Sequence, residues 1–446
     1  MFHTRYHPAS ESPLSLRERP TFGRCPRVRA FWLALVVLTT LGAALPAQSP
    51  APKERAWTVP VLAAPPGAKG GRSLEYAFPC GPPLPLAAVA FSPDGKLLAG
   101  GGYQEVLVWD LANAKLLKRL GAGQIGAAVH AAAFHKDGRL LAVAHGTPQG
   151  PAAVTLFDVE SGQAAASFQE PKDAIFSLAF SPDGNWLAGG GVDATLYVWN
   201  VAEKKNAAAL KGHGDWIFGV AFSADGKLLA SGGADKAALV WEVGSWKRLA
   251  TVPDSETLVG VALSPDGQFL ALAVAGADDR SLHLRRRDSG ELARRVDIGL
   301  AAPLDVLWPA KGNRVYVPCT DKTVKVFDGG NWNLLANLAG HSDWVYRAAL
   351  SADGTKLASA SADGSLRLWL PAEGRPLATL VQLAPRSDQW LIATPPGYFA
   401  ASTAAAIRWQ AAGIASPPDK LIGIFQNLDL VKQGLAGGKL PAPAVP

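Results

Sequence analysis

The sequence predicts an all-β protein of seven consecutive four-stranded antiparallel sheets, followed by a short irregular C-terminal tail. One phrase returns seven times between Leu84 and Leu383: an apolar strand, a turn such as Ser-Pro-Asp-Gly, a second apolar strand, and a third strand ending near Trp. The turn glycines Gly95, Gly138, Gly184, Gly226, Gly267, Gly312 and Gly354 follow one another at steps of 43, 46, 42, 41, 45 and 42 residues. A period of this length with four strands per unit is the signature of propeller blades. Composition agrees: 48% hydrophobic residues supply a core, 46 Gly and 34 Pro supply turns, and 18% charged residues is below the usual quarter.

The first 47 residues read as a leader. Arg24, Arg27 and Arg29 precede the apolar run at 30–45, and Pro46-Ala47-Gln48 follows. A basic segment, an apolar segment and a small residue form a secretory signal, with cleavage expected after Ala47. The apolar run of 16 residues is shorter than the roughly 20 that span a bilayer, so an uncut leader would be an N-terminal anchor. An exported protein, periplasmic or extracellular, is therefore expected. The formal charge of +6 also belongs mostly to the leader, where six Arg face only Glu11 and Glu18. The remainder lacks the clustered basic face that nucleic acid requires, and Arg285, Arg286 and Arg287 read as a solvated strand or loop.

Residues 48–72 read as a flexible Pro/Ala/Gly linker and 73–78 as a short strand, with the propeller occupying 73–384 and an extension at 385–446. Cys25 lies in the leader, leaving Cys80 and Cys319, either bridged or as two separate thiols. Repeats begin near 84, 129, 174, 216, 258, 303 and 344. In the fourth, 217–223 is the inner strand and Ser223-Ala-Asp-Gly226 the turn, its glycine placed where positive φ is needed. Strands at 228–231, 237–241 and 248–252 complete the sheet. Both faces of the inner strands must be apolar because neighbouring blades stack on them, and runs such as LLAS and LYVW comply.

Two repeats carry a polar set at identical spacing: His213, Ser231, Asp235 and Trp241, then His341, Ser359, Asp363 and Trp369. With these residues the repeats resemble WD40 repeats, and seven of them imply a seven-bladed β-propeller of the exported bacterial type. The resemblance implies that each set is a buried hydrogen-bonded tetrad, so its histidine is structural. Other repeats depart from the pattern. The third keeps Asp193 and Trp199 but has Gly189 for the serine, and the first keeps Trp109 alone. The sixth has Asp321 with Phe327, and the second ends in Phe157 after an insertion at 146–151. The fifth has an insertion at 276–279 and Arg285 in the tryptophan position.

The sequence leaves two ways to close the ring, since either Arg375–Gln382 or 73–78 could supply the outer strand of the last blade. Beyond 383, residues 388–409 resemble a segment that follows WD40 repeats in some bacterial proteins, and 427–434 reads as a short helix.

Gly121, Gly123 and Gly126 match a dinucleotide motif, but the next repeat follows in register where a helix would be needed, so they read as a loop between blades. No phosphate loop, HExxH or GxSxG occurs, and no catalytic, cofactor-binding or metal residue is assigned. The expectation is a monomeric, non-catalytic scaffold for a protein or peptide partner at the cell envelope. Trp216, Phe218, Trp344, Tyr346, Arg347, Phe176 and Trp308 are the candidate binding rim, because aromatics and Arg anchor interfaces. Trp216 and Trp344 packing between blades is the simpler alternative. The rival function is an exported propeller with a metal or small-ligand site, or an enzymatic one, at the channel mouth. It would draw on His130, His135, His145 or His283.

Overall fold

The computed structural model describes residues 84–384, 386–403 and 423–442, with two short strands, Ala56–Trp57 and Tyr76–Ala77. The leader, its cleavage site, Cys25 and Cys80 lie outside the described residues. Seven antiparallel blades succeed one another around a ring. Blades one to five, at 88–120, 128–168, 175–211, 217–253 and 258–297, each pair four strands in sequence order. Blade six has three regular strands at 314–339, and its inner position is held by 303–307 through the bridges Pro303↔Cys319 and Leu307↔Tyr316. Blade seven spans 345–382.

The turn chemistry that sets the period is visible at every repeat. All seven turn glycines have positive φ, from +67° at Gly267 to +91° at Gly312, a region that glycine enters without a Cβ penalty. The serine that opens most of these turns then locks them: Ser223 donates to Asp225 at 2.7 Å while accepting from Leu228 N at 2.9 Å. In blade two His135 takes the serine's place beside Asp137, at 2.9 Å.

Core clusters straddle blades, which is why strands read as apolar on both faces. Leu229, Leu239 and Trp241 of blade four pack with Ala188, Leu196 and Val198 of blade three. Burying such side chains contributes roughly 1.5–3 kcal/mol each.

Three expectations are revised. Residues 48–72 are not wholly a tether, because Ala56–Trp57 pairs antiparallel with Tyr76–Ala77. Within 73–78, Tyr76–Ala77 pairs with Ala56–Trp57 and, among the described residues, with no strand of blade seven. Arg375–Gln382 is the fourth strand of blade seven, paired with Ser365–Leu370, so among the described residues no strand is exchanged between the two ends of the repeat array. Finally, the tail is not irregular throughout. Trp390–Ala393 and Phe399–Ala401 extend the blade-seven sheet to six strands, and the helix Leu428–Leu435 packs nearby. The helix begins at Asn427, whose side chain accepts from Leu430 N, an N-cap that satisfies an otherwise orphaned donor. Gly121 and Gly123 adopt positive φ in the loop between blades one and two, with Ile125 N bonded to Gly121 O.

Candidate functional site

The two tetrads lie where loops entering the inner strands meet loops leaving the second strands. In blade four, His213 Nδ1 faces Asp235 at 2.9 Å, His213 Nε2 faces Ser231 Oγ at 2.8 Å, and Trp241 Nε1 donates to Ser231 Oγ at 3.3 Å. In blade seven the corresponding distances are 3.0, 2.7 and 2.9 Å for His341–Asp363, His341–Ser359 and Trp369–Ser359. Each serine hydroxyl accepts from its indole N–H and faces Nε2 of its histidine, while Nδ1 faces the carboxylate. In blade seven a neutral His341 fits these contacts, with Ser359 donating to Nε2 and Nδ1–H directed at Asp363. Burial holds His341 below the ordinary imidazole value, consistent with that form.

The imperfect blades rebuild this polar centre from the third strand. In blade three Tyr197 donates to Asp193 at 2.8 Å, and Trp199 finds Glu170 at 3.3 Å. In blade six Lys325 pairs with Asp321 at 2.7 Å. In blade five His283 has Asp254 at Nδ1 (2.9 Å) and Asp279 at Nε2 (3.0 Å). Arg285, in the tryptophan position, donates to Asp254 at 2.6 Å. In each case the new partner lies four residues after the turn aspartate, a spacing readable in the sequence and overlooked there. Buried polar groups have to be paired, and any side chain that reaches will serve.

These contacts also occupy the unassigned histidines. His130 Nε2 lies 3.0 Å from Gly146 O, His135 Nε2 3.0 Å from Gly184 O, and His145 Nε2 3.0 Å from Thr155 Oγ1. The carboxylates at His283 sit at opposite ring nitrogens and do not converge on one point. Among the described residues no group of three or more His, Cys, Asp or Glu is arranged to hold a metal ion. Cys319 is a buried free thiol donating to Val317 O, and burial pushes its pKa far up.

The candidate rim divides into four parts. Trp216 and Trp344 are half-buried at the tetrad-bearing face. Their carbonyls accept from Ala234 N and Ala362 N, which ties the two kinds of loop together.

Phe176, Phe218 and Tyr346 are not at the surface; they are only 5%, 2% and 5% exposed. A register shift in the inner strands of blades two to five and seven leaves His130, Phe176, Phe218, Val259 and Tyr346 unopposed, eight residues before each turn glycine. Such bulges re-aim a side chain. Phe176 stacks on Phe218 at 5.7 Å and meets His130 edge-on at 5.5 Å, with Trp216 leaning on both phenylalanines. Together with Val259, Leu304 and Tyr346, these aromatics form one buried cluster beneath the tryptophans.

Trp308 belongs to the other end of the ring. It packs edge-on against Trp332 at 5.2 Å, beside the turn after the third strand of blade six, and its indole nitrogen is buried without a partner among the described residues.

Arg347 crosses the channel instead of facing a partner. Its guanidinium meets Asp305 at 2.9 Å and donates to the carbonyls of Phe176 (3.1 Å) and Phe218 (3.3 Å), tying blade seven to blades six, three and four. A cavity of about 300 Å³ remains, walled mainly by small apolar residues with Ser177, Trp308 and this ion pair. Arg347→Leu is expected to lower stability by roughly 2–3 kcal/mol by stranding Asp305. A urea-denaturation cycle with Asp305→Leu should show part of that loss recovered in the double variant; strictly additive losses would mean the two side chains do not interact.

Comparison with known proteins follows the same division among blades. The profile of the WD domain, G-beta repeat family matches residues 81–110, 162–200, 204–242 and 332–369, which end with the third strands of blades one, three, four and seven. The small ribosomal subunit protein RACK1y of Oryza sativa subsp. japonica is 34% identical over 123 residues, covering 26% of this chain and 34% of that protein. The COMPASS component SWD3 of Saccharomyces cerevisiae is 32% identical over 119 residues, covering 26% and 36%. The matched part thus spans about a third of the length of these curated relatives, both eukaryotic. The chain carries WD40 repeats arranged as a seven-bladed β-propeller.

Proposed function

We propose that this protein is a non-catalytic scaffold that receives a protein or peptide partner on the tetrad-bearing face, around Trp216 and Trp344. The observation that carries the reading is a pair of half-buried tryptophans on a rigid aromatic floor. Large side chains held in place before binding lose little entropy on docking, which is what makes an anchor. WD40 propellers are typically protein-interaction scaffolds, and the named relatives are components of a ribosomal subunit and of COMPASS.

The partner's chemistry follows from charge. On the loops of this face carboxylates outnumber cations: Glu170, Asp173, Asp215, Glu256, Asp278 and Asp343 are among them, against Lys172, Lys236, Arg280, Lys322 and Arg386. A partner with a basic segment suits that field, and its binding should weaken with salt. The cell envelope is the proposed location, supported by the basic and apolar leader at 24–47. N-terminal sequencing of the purified protein tests it, and a first residue at Gln48 is expected.

The test of the scaffold reading is the double variant Trp216→Ala, Trp344→Ala. At least a tenfold loss of affinity for a partner recovered with the wild type is expected, with unchanged far-ultraviolet circular dichroism. Retained affinity with an intact fold would sink this face as the docking site.

A further inference from the structure

Blade one is the blade whose polar centre is least complete, and it is also where the ring must close. Trp109 is its only tetrad residue, and the buried indole nitrogen has no partner among the described residues. All four strands of blade seven come from one repeat, so the blades at the two ends of the repeat array are joined by packing and not by a shared strand. We infer that residues 386–403 and 423–442 form a clasp that closes the ring across the seam between blades one and seven.

Three independent sets of contacts build it. At the tetrad-bearing face, Gln382 of blade seven donates to the buried Glu105 of blade one at 2.9 Å and to Ser387 O at 2.8 Å. Arg119 of blade one reaches both Glu105 (2.7 Å) and Asp388 (3.3 Å), and Arg386 reaches Gln104 at 3.3 Å. Within the seam, Trp390 meets Trp109 edge-on at 6.2 Å, covering the indole that lacks its tetrad. At the outer side, Val431 and Leu435 of the helix join one cluster with Leu111 and Ala114 of blade one and Leu377 and Leu380 of blade seven. Arg375 fixes the helix's end by donating to Gly437 O at 2.7 Å.

The repeat itself supplies the control. Leu377 sits in the outer-strand bulge 23 residues after its turn glycine, the position of Leu249 in blade four and Leu335 in blade six. Those two are 50% and 49% exposed, whereas Leu377 is 1% exposed. The helix covers in blade seven what the other two blades leave to solvent.

The experiment is hydrogen exchange on the full chain, read blade by blade. In Val431→Asp, Leu435→Asp, amides of blades one and seven should exchange at least ~10-fold faster, as expected for a locally weakened unit, while blade four stays as in wild type. Should that variant fail to fold, Arg386→Ala, Asp388→Ala removes only half-buried and exposed contacts, and the same two blades should respond more weakly. Exchange that stays unchanged in blades one and seven, or rises equally in all seven blades, overturns the clasp.

Discussion

Replacing Asp363 by alanine is expected to lower the unfolding free energy by about 3–5 kcal/mol, the largest loss for any single polar side chain of the ring. The carboxylate is fully surrounded. One oxygen accepts from His341 Nδ1 at 3.0 Å and Ser342 N at 2.9 Å, the other from Ser365 N at 3.0 Å and Ser365 Oγ at 2.7 Å. Those attractions hold Asp363 well below the usual carboxylate range despite its burial. Alanine would strand several donors at once, each costing roughly 1–3 kcal/mol when no water can replace the acceptor. Asp353 is the internal control, since it stands in the same blade and caps the exposed turn at Ser351 and Thr355. Asp353→Ala should cost only about 1 kcal/mol, because water takes over the freed donors. Equal shifts in urea midpoint for the two variants would contradict the buried-relay account.

That contrast also explains what the sequence could disclose. The tetrads were legible because four chemically constrained residues recur at one spacing, and the turns because glycine enters their positive φ without a Cβ penalty. The substituted centres were legible in principle: Asp193 and Tyr197, Asp279 and His283, and Asp321 and Lys325 share the turn aspartate's four-residue offset. They escape attention because Tyr, His and Lys have no common type, only a common reach. The bulge was not legible. Phe218 and Val220 both read as apolar inner-strand positions, and nothing local says that one is squeezed out of the ladder and buried under Trp216. Trp308 was misplaced for a related reason, as blade six lacks a regular inner strand and its register follows bridges to Tyr316 and Cys319. The extension was hidden by distance, because the pairing that makes Trp390–Ala393 a strand comes from Gln382 and its neighbours, and its packing from blade one.

Acid should weaken the ring through its buried imidazoles, and His130 should dominate. Burial lowers its pKa from 6.5 to about 4, with only the Gly146 carbonyl opposing, and the neighbouring His145 pushes it the same way. The folded value is thus below the unfolded one, so the unfolded chain takes up the proton first. Stability from the neutral ring is complete above about pH 6.5 and is lost progressively as the pH falls to about 4, a change on the order of 3 kcal/mol. His341 and His145 are shifted in the same direction and add to the loss. Asp363, whose pKa is lowered from 3.8, contributes its change only below this window and leaves the upper limb to the histidines. His130 occupies the bulge position that holds phenylalanine in the next two blades, so His130→Phe offers a ring of similar shape without the titration. It should cost about 1 kcal/mol at pH 7.5 for the lost bond to Gly146 O, yet lose less stability than wild type between pH 7.5 and 4.5. Urea midpoints at the two pH values decide the matter: parallel losses in both proteins would show that the acid limb originates elsewhere, whereas a flatter limb in His130→Phe places it at the aromatic floor beneath Trp216.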